Sequence, residues 1–124
     1  ESYKLSNDYD VKIHKNGIVI VFLSSNSTIE TIKYDQRIKD QLQNLEGKKK
    51  HGATTQTENL IFAEIYKNGE SKMIQSPLRA KLLEINEKQE LSIQRGAIIA
   101  VYQPTWEKSQ QLKEILKSGI KSEA

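Results

Sequence analysis

Two Asn-Gly dipeptides, Asn16-Gly17 and Asn68-Gly69, each stand between β-rich runs. They constrain this chain more than any other feature, because Asn-Gly between alternating apolar residues is the strongest short-range signal for a β-hairpin. Before the first dipeptide, Val11 and Ile13 alternate with polar residues in "DVKIHK". After it, "IVIVFL" from Ile18 to Leu23 reads as a buried strand. Around the second, "NLIFAEIY" and "SKMIQSP" form the two arms. Two antiparallel hairpins are therefore expected.

The remaining segments fill out a β-rich domain. Ser24 to Ser27 is a polar loop, and Ile29, Thr31 and Ile32 are β-branched residues of a further strand ending at Tyr34. Pro77 marks a bend or strand edge, "LRAKLLEIN" reads as a strand, and "GAIIAVYQP" is another, closed by Pro104. At the C-terminal end, Thr105 caps a helix that carries Glu107 in its first turn. This helix, residues 105–119, has Leu112, Ile115 and Leu116 on one face before Gly119. About six short strands and one helix close most economically as a small sandwich or flattened barrel, with residues 1–124 as one domain. The strand runs give a predicted core of Ile18, Val19, Ile20, Val21, Leu60, Phe62, Leu83, Ile85, Ile98 and Val101. Tyr34, Tyr66, Tyr102 and Trp106 are expected in the core or half-buried beside it.

Composition removes several kinds of chemistry. There is no cysteine, which excludes disulfides, thiolate metal sites and a thiol nucleophile. His14 and His51 lie far apart in sequence, each next to a lysine, so no multi-histidine metal site is expected. No carboxylate pair has a spacing that enforces a shared site, and "GKKKHGA" lacks both the P-loop spacing and its terminal Lys-Ser/Thr. The expectation is a protein that is not an enzyme and has no cofactor. No apolar run reaches membrane-span length, so no membrane partner is expected. The chain begins at Glu1 with no initiator Met or signal-like segment, which leads one to expect a trimmed or partial chain.

The segment from Asp35 to Asn59 differs in kind. Ile38, Leu42 and Leu45 have helix-like spacing, but Gly47 and the lysine run end any helix, and the remainder is polar. Lys48, Lys49, Lys50 and His51 form the candidate partner-binding patch. A net charge of +3 and a pI near 9.0 are mild for a nucleic-acid binder. No aromatic residue interleaves with the lysines to stack bases, so nucleic acid is not the expected partner.

The order of hairpin, "SPLRAKLLEIN", polar connector, "GAIIAVYQP" and short helix resembles the H protein of the glycine cleavage system, through Ser76, Pro77, Leu78, Glu84, Ile85, Asn86 and Gly96. A broader similarity covers about a hundred residues. "IHKNGIVIVFL", "GKKKHGA", "NGESKMIQSPLRAKLLEINE" and "GAIIAVYQP" resemble successive landmarks of the Abitram family of actin-binding transcription modulators, also called Simiate. Gly47, Lys48, Lys50, His51, Gly52 and Ala53 match that family's basic stretch. This resemblance implies a mainly β barrel-sandwich hybrid of the lipoyl or H-protein-like kind, closed by a short C-terminal α-helix. It also implies actin binding, no attached cofactor, and residence in nucleus and cytoplasm. The rival expectation is a small co-chaperone or assembly factor that holds a folding client, and a third is a lipoyl- or biotin-type carrier. A carrier needs a lysine at an exposed hairpin tip. Lys67 is in the right region, but it precedes an ordinary Asn-Gly turn and is read as a solvated, unmodified lysine.

If the basic patch holds an acidic partner, replacing Lys48, Lys49 and Lys50 together by serine will weaken binding and leave thermal stability almost unchanged. The difference will shrink as salt rises, because exposed charges are screened within about 10 Å at roughly 0.1 M ionic strength. Binding titrations of both proteins at two salt concentrations measure this, and equal affinities would reduce the lysines to a solubilising role.

Overall fold

The structure is a computed structural model that describes residues 2–4, 8–47, 54–56, 61–75 and 79–122. In chain order these form β1 (Ser2–Lys4), β2 (Tyr9–Ile13), β3 (Val19–Leu23), β4 (Ile29–Tyr34), α1 (Gln36–Gly47) and β5 (Thr54–Gln56). There follow β6 (Ile61–Lys67), β7 (Glu70–Gln75), β8 (Ala80–Ile85), α2 (Lys88–Leu91), β9 (Ile98–Gln103) and α3 (Trp106–Ser122).

Both Asn-Gly dipeptides make hairpin turns, of two different kinds. Between β6 and β7, Asn68 and Gly69 both have positive φ, 52° and 83°. Such a two-residue turn matches the right-handed twist of the strands it joins, and Lys67 lies opposite Glu70 across it. Between β2 and β3 only Gly17 has positive φ, at 93°. There Gly17 N–H donates to the His14 carbonyl and His14 N–H to the Ile18 carbonyl, both at 2.9 Å, which gives a longer loop closed by a left-handed glycine. A Cβ on Gly17 would lie 3.5 Å from Ser109 Oγ, so this turn packs against α3.

The strands form two open sheets, and this corrects the expected closed barrel-sandwich hybrid. One sheet has six strands in the order β1-β2-β3-β9-β8-β5, and the other has three in the order β4-β6-β7. Among the described residues no strand pairing joins them. The reason lies along the free edge of β4. Arg95 donates from Nε to the Ser27 carbonyl at 2.6 Å and from a terminal nitrogen to the Ile29 carbonyl at 3.0 Å. At the other end of the strand, Tyr34 N–H donates to Glu90 Oε2 at 2.7 Å. Side chains thus use backbone groups that a closed barrel would have paired with another strand.

Both sheets and two helices supply one buried cluster. Val11, Val19, Val21, Leu23, Leu82, Ile99 and Tyr102 come from the large sheet, and Ile29, Ile32, Tyr34, Ala63 and Ile65 from the small one. Ile38 of α1 and Leu112 and Leu116 of α3 also belong to it. Of the predicted core, Val19, Val21 and Ile85 are buried, while Ile18, Ile20, Leu83, Ile98 and Val101 are half-buried. Leu60 and the side chain of Phe62 lie outside the described residues. Successive strand residues face opposite ways, so a continuous apolar run cannot all enter one core. Pairing irregularities at Val21/Phe22 and Leu82/Glu84 further select which residues turn inward.

The helices follow their caps. Asp35 Oδ1 accepts from Arg37 N–H at 2.8 Å at the start of α1, and α1 ends at Gly47 where the chain composition changes. Thr105 Oγ1 accepts from Lys108 N–H at 3.2 Å, the expected cap for α3. Helix α3 continues past Gly119 to Ser122, and Ile115 points outward at 64% exposure instead of sharing the buried face of Leu112 and Leu116. Tyr34 and Tyr102 are buried, whereas Tyr66 and Trp106 are exposed, contrary to expectation.

Replacing Leu82, which is fully buried, by alanine is expected to cost about 3 kcal/mol through lost transfer energy and a residual cavity. Tyr34→Phe removes only the hydroxyl that donates to the Ile99 carbonyl at 3.0 Å, and should cost about 1 kcal/mol. Denaturant unfolding of the two variants orders them, and a reversed order would show that Tyr34, not Leu82, governs the packing there.

Candidate interaction surface

The central strands β3 and β9 are apolar on both faces. Their inner residues enter the core, and the outward set is Ile20 and Phe22 of β3 with Ile98 and Val101 of β9. Ile20 lies opposite Val101 and Phe22 opposite Ile98, which makes a compact strip of four half-buried side chains. Charged residues stand on either side of it. Lys12 is opposite Ile20, Asp10 opposite Phe22, and Glu84 opposite Val101. An apolar centre with a charged rim is the composition of a protein-docking patch, because the centre gains from losing water while the rim sets orientation. Covering the strip is worth about 25 cal/mol for each Å² of apolar surface removed from water.

The chain crossing beside the strip is tied down by a polar cluster. Where the chain leaves β3 for β4, Ser24 N–H donates to the Asp8 carbonyl at 2.8 Å. Ser27 Oγ donates to Asp8 Oδ1 at 2.8 Å, Thr28 N–H donates to the same oxygen at 3.3 Å, and Lys67 Nζ donates to Asp8 Oδ2. Asp8 and Ser27 are both buried. Burial by itself would push the Asp8 carboxyl up, but the bonds from Lys67, Ser27 and Thr28 outweigh it and hold the group below its usual 3.8.

This cluster fixes the meaning of Lys67. Its ammonium is not solvated at the hairpin tip, as the sequence reading had it, but reaches across to pair with Asp8 and is only 19% exposed. A second buried tie joins the helices to β4. Glu90, besides accepting from Tyr34 N–H, pairs with Lys39 of α1 at 3.0 Å, with both side chains less than one-fifth exposed. Tyr34 itself has its phenol pushed up, chiefly by burial, which keeps it a hydrogen-bond donor to Ile99.

Lys48, Lys49, Lys50 and His51 lie outside the described residues. Ile20, Ile98 and Val101 of the strip were read from the sequence as core, because a continuous apolar run does not disclose which of its residues face outward. The available signal was the absence of polar alternation in "IVIVF", which marks a strand apolar on both faces. Among the described residues no group of three His, Asp or Glu side chains is placed to hold a metal ion, and no helix is long and apolar enough to cross a membrane.

Asp8→Asn removes the charge but keeps the shape, and leaves Lys67 without its counter-ion. A loss of about 2 to 3 kcal/mol at neutral pH is expected. Because the folded-state pKa of Asp8 is depressed, its contribution is complete above the unfolded value near 3.8 and disappears as pH falls through the lower folded value. The stability gap between wild type and Asp8→Asn should therefore narrow below about pH 4. Unfolding curves of both proteins from pH 7 down to the acid limit test this, and a gap independent of pH would contradict it.

Compared with models of known protein families and with curated proteins, the chain finds no match.

Proposed function

We propose that the protein is a non-catalytic interaction module that docks a protein partner on the outer face of its six-stranded sheet. The observation that carries this is the strip of Ile20, Phe22, Ile98 and Val101 between charged rows. The state of Lys67 supports it over a swinging-arm carrier. An attached arm would require that lysine to give up its bond with Asp8, with loss of a largely buried ion pair. The sequence resemblance to the Abitram family makes actin the first partner to test.

Ile20→Thr combined with Val101→Thr keeps the β-branched shape while replacing a methyl or larger apolar group by hydroxyl on the outer face. The double variant should stay within about 1.5 kcal/mol of wild-type stability, since both side chains are only half-buried. Its affinity for actin monomers, measured by titration with labelled actin, should fall about tenfold or more. Failure of the wild-type chain to bind actin would end the actin reading. Binding that the double variant leaves unchanged would move the interface away from this sheet face.

A further inference from the structure

One row of side chains crosses the apolar strip and ends in opposite charges. It reads Lys12, Ile20, Val101, Glu84, on β2, β3, β9 and β8 in that order. Residues directly opposite one another in an antiparallel sheet project from the same face, so all four stand on the outer side. Lys12 and Glu84 are exposed, and among the described residues neither side chain makes a hydrogen bond or an ion pair. They cannot neutralise each other, because three strand spacings of about 4.8 Å hold them about 14 Å apart. The row therefore offers a cation at one end, an anion at the other, and apolar side chains between.

We infer that this face binds a second copy of the chain, in a two-fold dimer whose axis runs along the strands and through the strip. The inference rests on the interaction-module reading above and adds how that site is regulated. In the dimer each copy covers the other's strip, so self-association and partner binding exclude each other. Rotation about this axis exchanges the two sides of the sheet and leaves position along the strands unchanged. Lys12 of each copy then faces Glu84 of the other, Ile20 faces Val101, and Phe22 faces Ile98. Two ion pairs flank an apolar centre, and the strands stay aligned, as they do in sheets stacked face to face.

A two-fold axis across the strands is the other way to join the same faces. It sets Lys12 against Asp10, which already has an interaction within its own chain, and brings Glu84 toward the neutral Asn86. The axis along the strands satisfies both free charges, and it keeps them on the rim, where water still reaches them. Four half-buried apolar side chains on each copy make a small interface. The dimer is therefore weak, with a dissociation constant of about 0.1 mM, and a partner that covers more of the sheet displaces it.

The test is sedimentation velocity of the 124-residue chain from about 10 μM to about 1 mM, a range that brackets the expected constant. Monomer should dominate at the lowest concentration and dimer at the highest. A chain that stays monomeric throughout overturns the inference, as does a dimer that survives Ile20→Thr combined with Val101→Thr. Lys12→Glu alone, or Glu84→Lys alone, should weaken the dimer about tenfold or more, because the two-fold axis turns one substitution into two like-charge contacts. Both side chains are exposed, so the thermal transition of each variant should be unchanged. The decisive measurement mixes the two singly substituted proteins. In the mixed dimer every like-charge contact becomes an ion pair again, and the mixture should dimerise as tightly as wild type. Such recovery can come only from contacts between copies, given the separation of the two positions within one chain. A mixture no tighter than the single variants shows that Lys12 and Glu84 do not face each other, and overturns the inference. Wild type that binds actin yet remains monomeric ends the dimer alone, whereas wild type that dimerises without binding actin ends the actin reading alone. Where both occur, actin should convert the dimer into a complex with one copy of the chain, and a complex that retains the dimer contradicts mutual exclusion.

Discussion

The Asp8 carboxylate is the point on which the arrangement of the two sheets depends. It lies just before β2, accepts from the loop that leads into β4, and pairs with Lys67 at the end of β6. Three segments from both sheets are therefore joined through one buried anion. Taking a carboxylate out of water costs several kcal/mol, and the site is tolerable only because its oxygens are met by an ammonium, a hydroxyl and a backbone N–H. Such a cluster contributes less to net stability than to choosing one arrangement. Any other position of the β3–β4 crossing takes the Ser27 hydroxyl and the Thr28 N–H away from this buried carboxylate.

The same logic explains why the sheets remain open. In a closed β structure, strand edges are satisfied by other strands. Here the edge of β4 is satisfied by Arg95 and Glu90, side chains of the segment around α2. Glu90 is in turn held by Lys39, so α1, α2 and β4 form one tied unit. Gln89 reinforces this segment from inside. It is buried, and its amide both accepts from Gln94 N–H at 2.7 Å and donates to the Gln94 carbonyl at 3.0 Å, as a neighbouring backbone would. These ties gather at the edge of the small sheet, while the strip belongs to β3 and β9 of the large one, and the interaction reading draws on that division.

The hairpins, the strand to Tyr34, the strands before and after the polar connector, and the cap at Thr105 were all legible in the sequence, because each rests on local chemistry. Asn-Gly reports positive φ, β-branched runs report extended backbone, and a threonine before a polar first turn reports a helix start. Less local features were not legible. Strand β1 and strand β5 have three residues each and no periodicity of their own, and they form by pairing with β2 and β8. Helix α2 has four residues and likewise falls below any periodic signal. The exposure of Trp106 and Tyr66 was missed because an aromatic side chain carries no mark of the direction in which its strand or helix will present it.

The sequence by itself determined where the chain turns, which stretches are extended, and that no thiol chemistry is possible, since these follow from residue identity and near neighbours. Only the tertiary structure decided that the strands divide into six and three, that Lys67 is bound to Asp8, and that half of an apolar run faces outward. Those facts depend on contacts between residues as far apart as Asp8 and Lys67, or Ser27 and Arg95. A pairing across that much chain is set by which buried polar groups can be satisfied together, a condition that no local pattern of residues records.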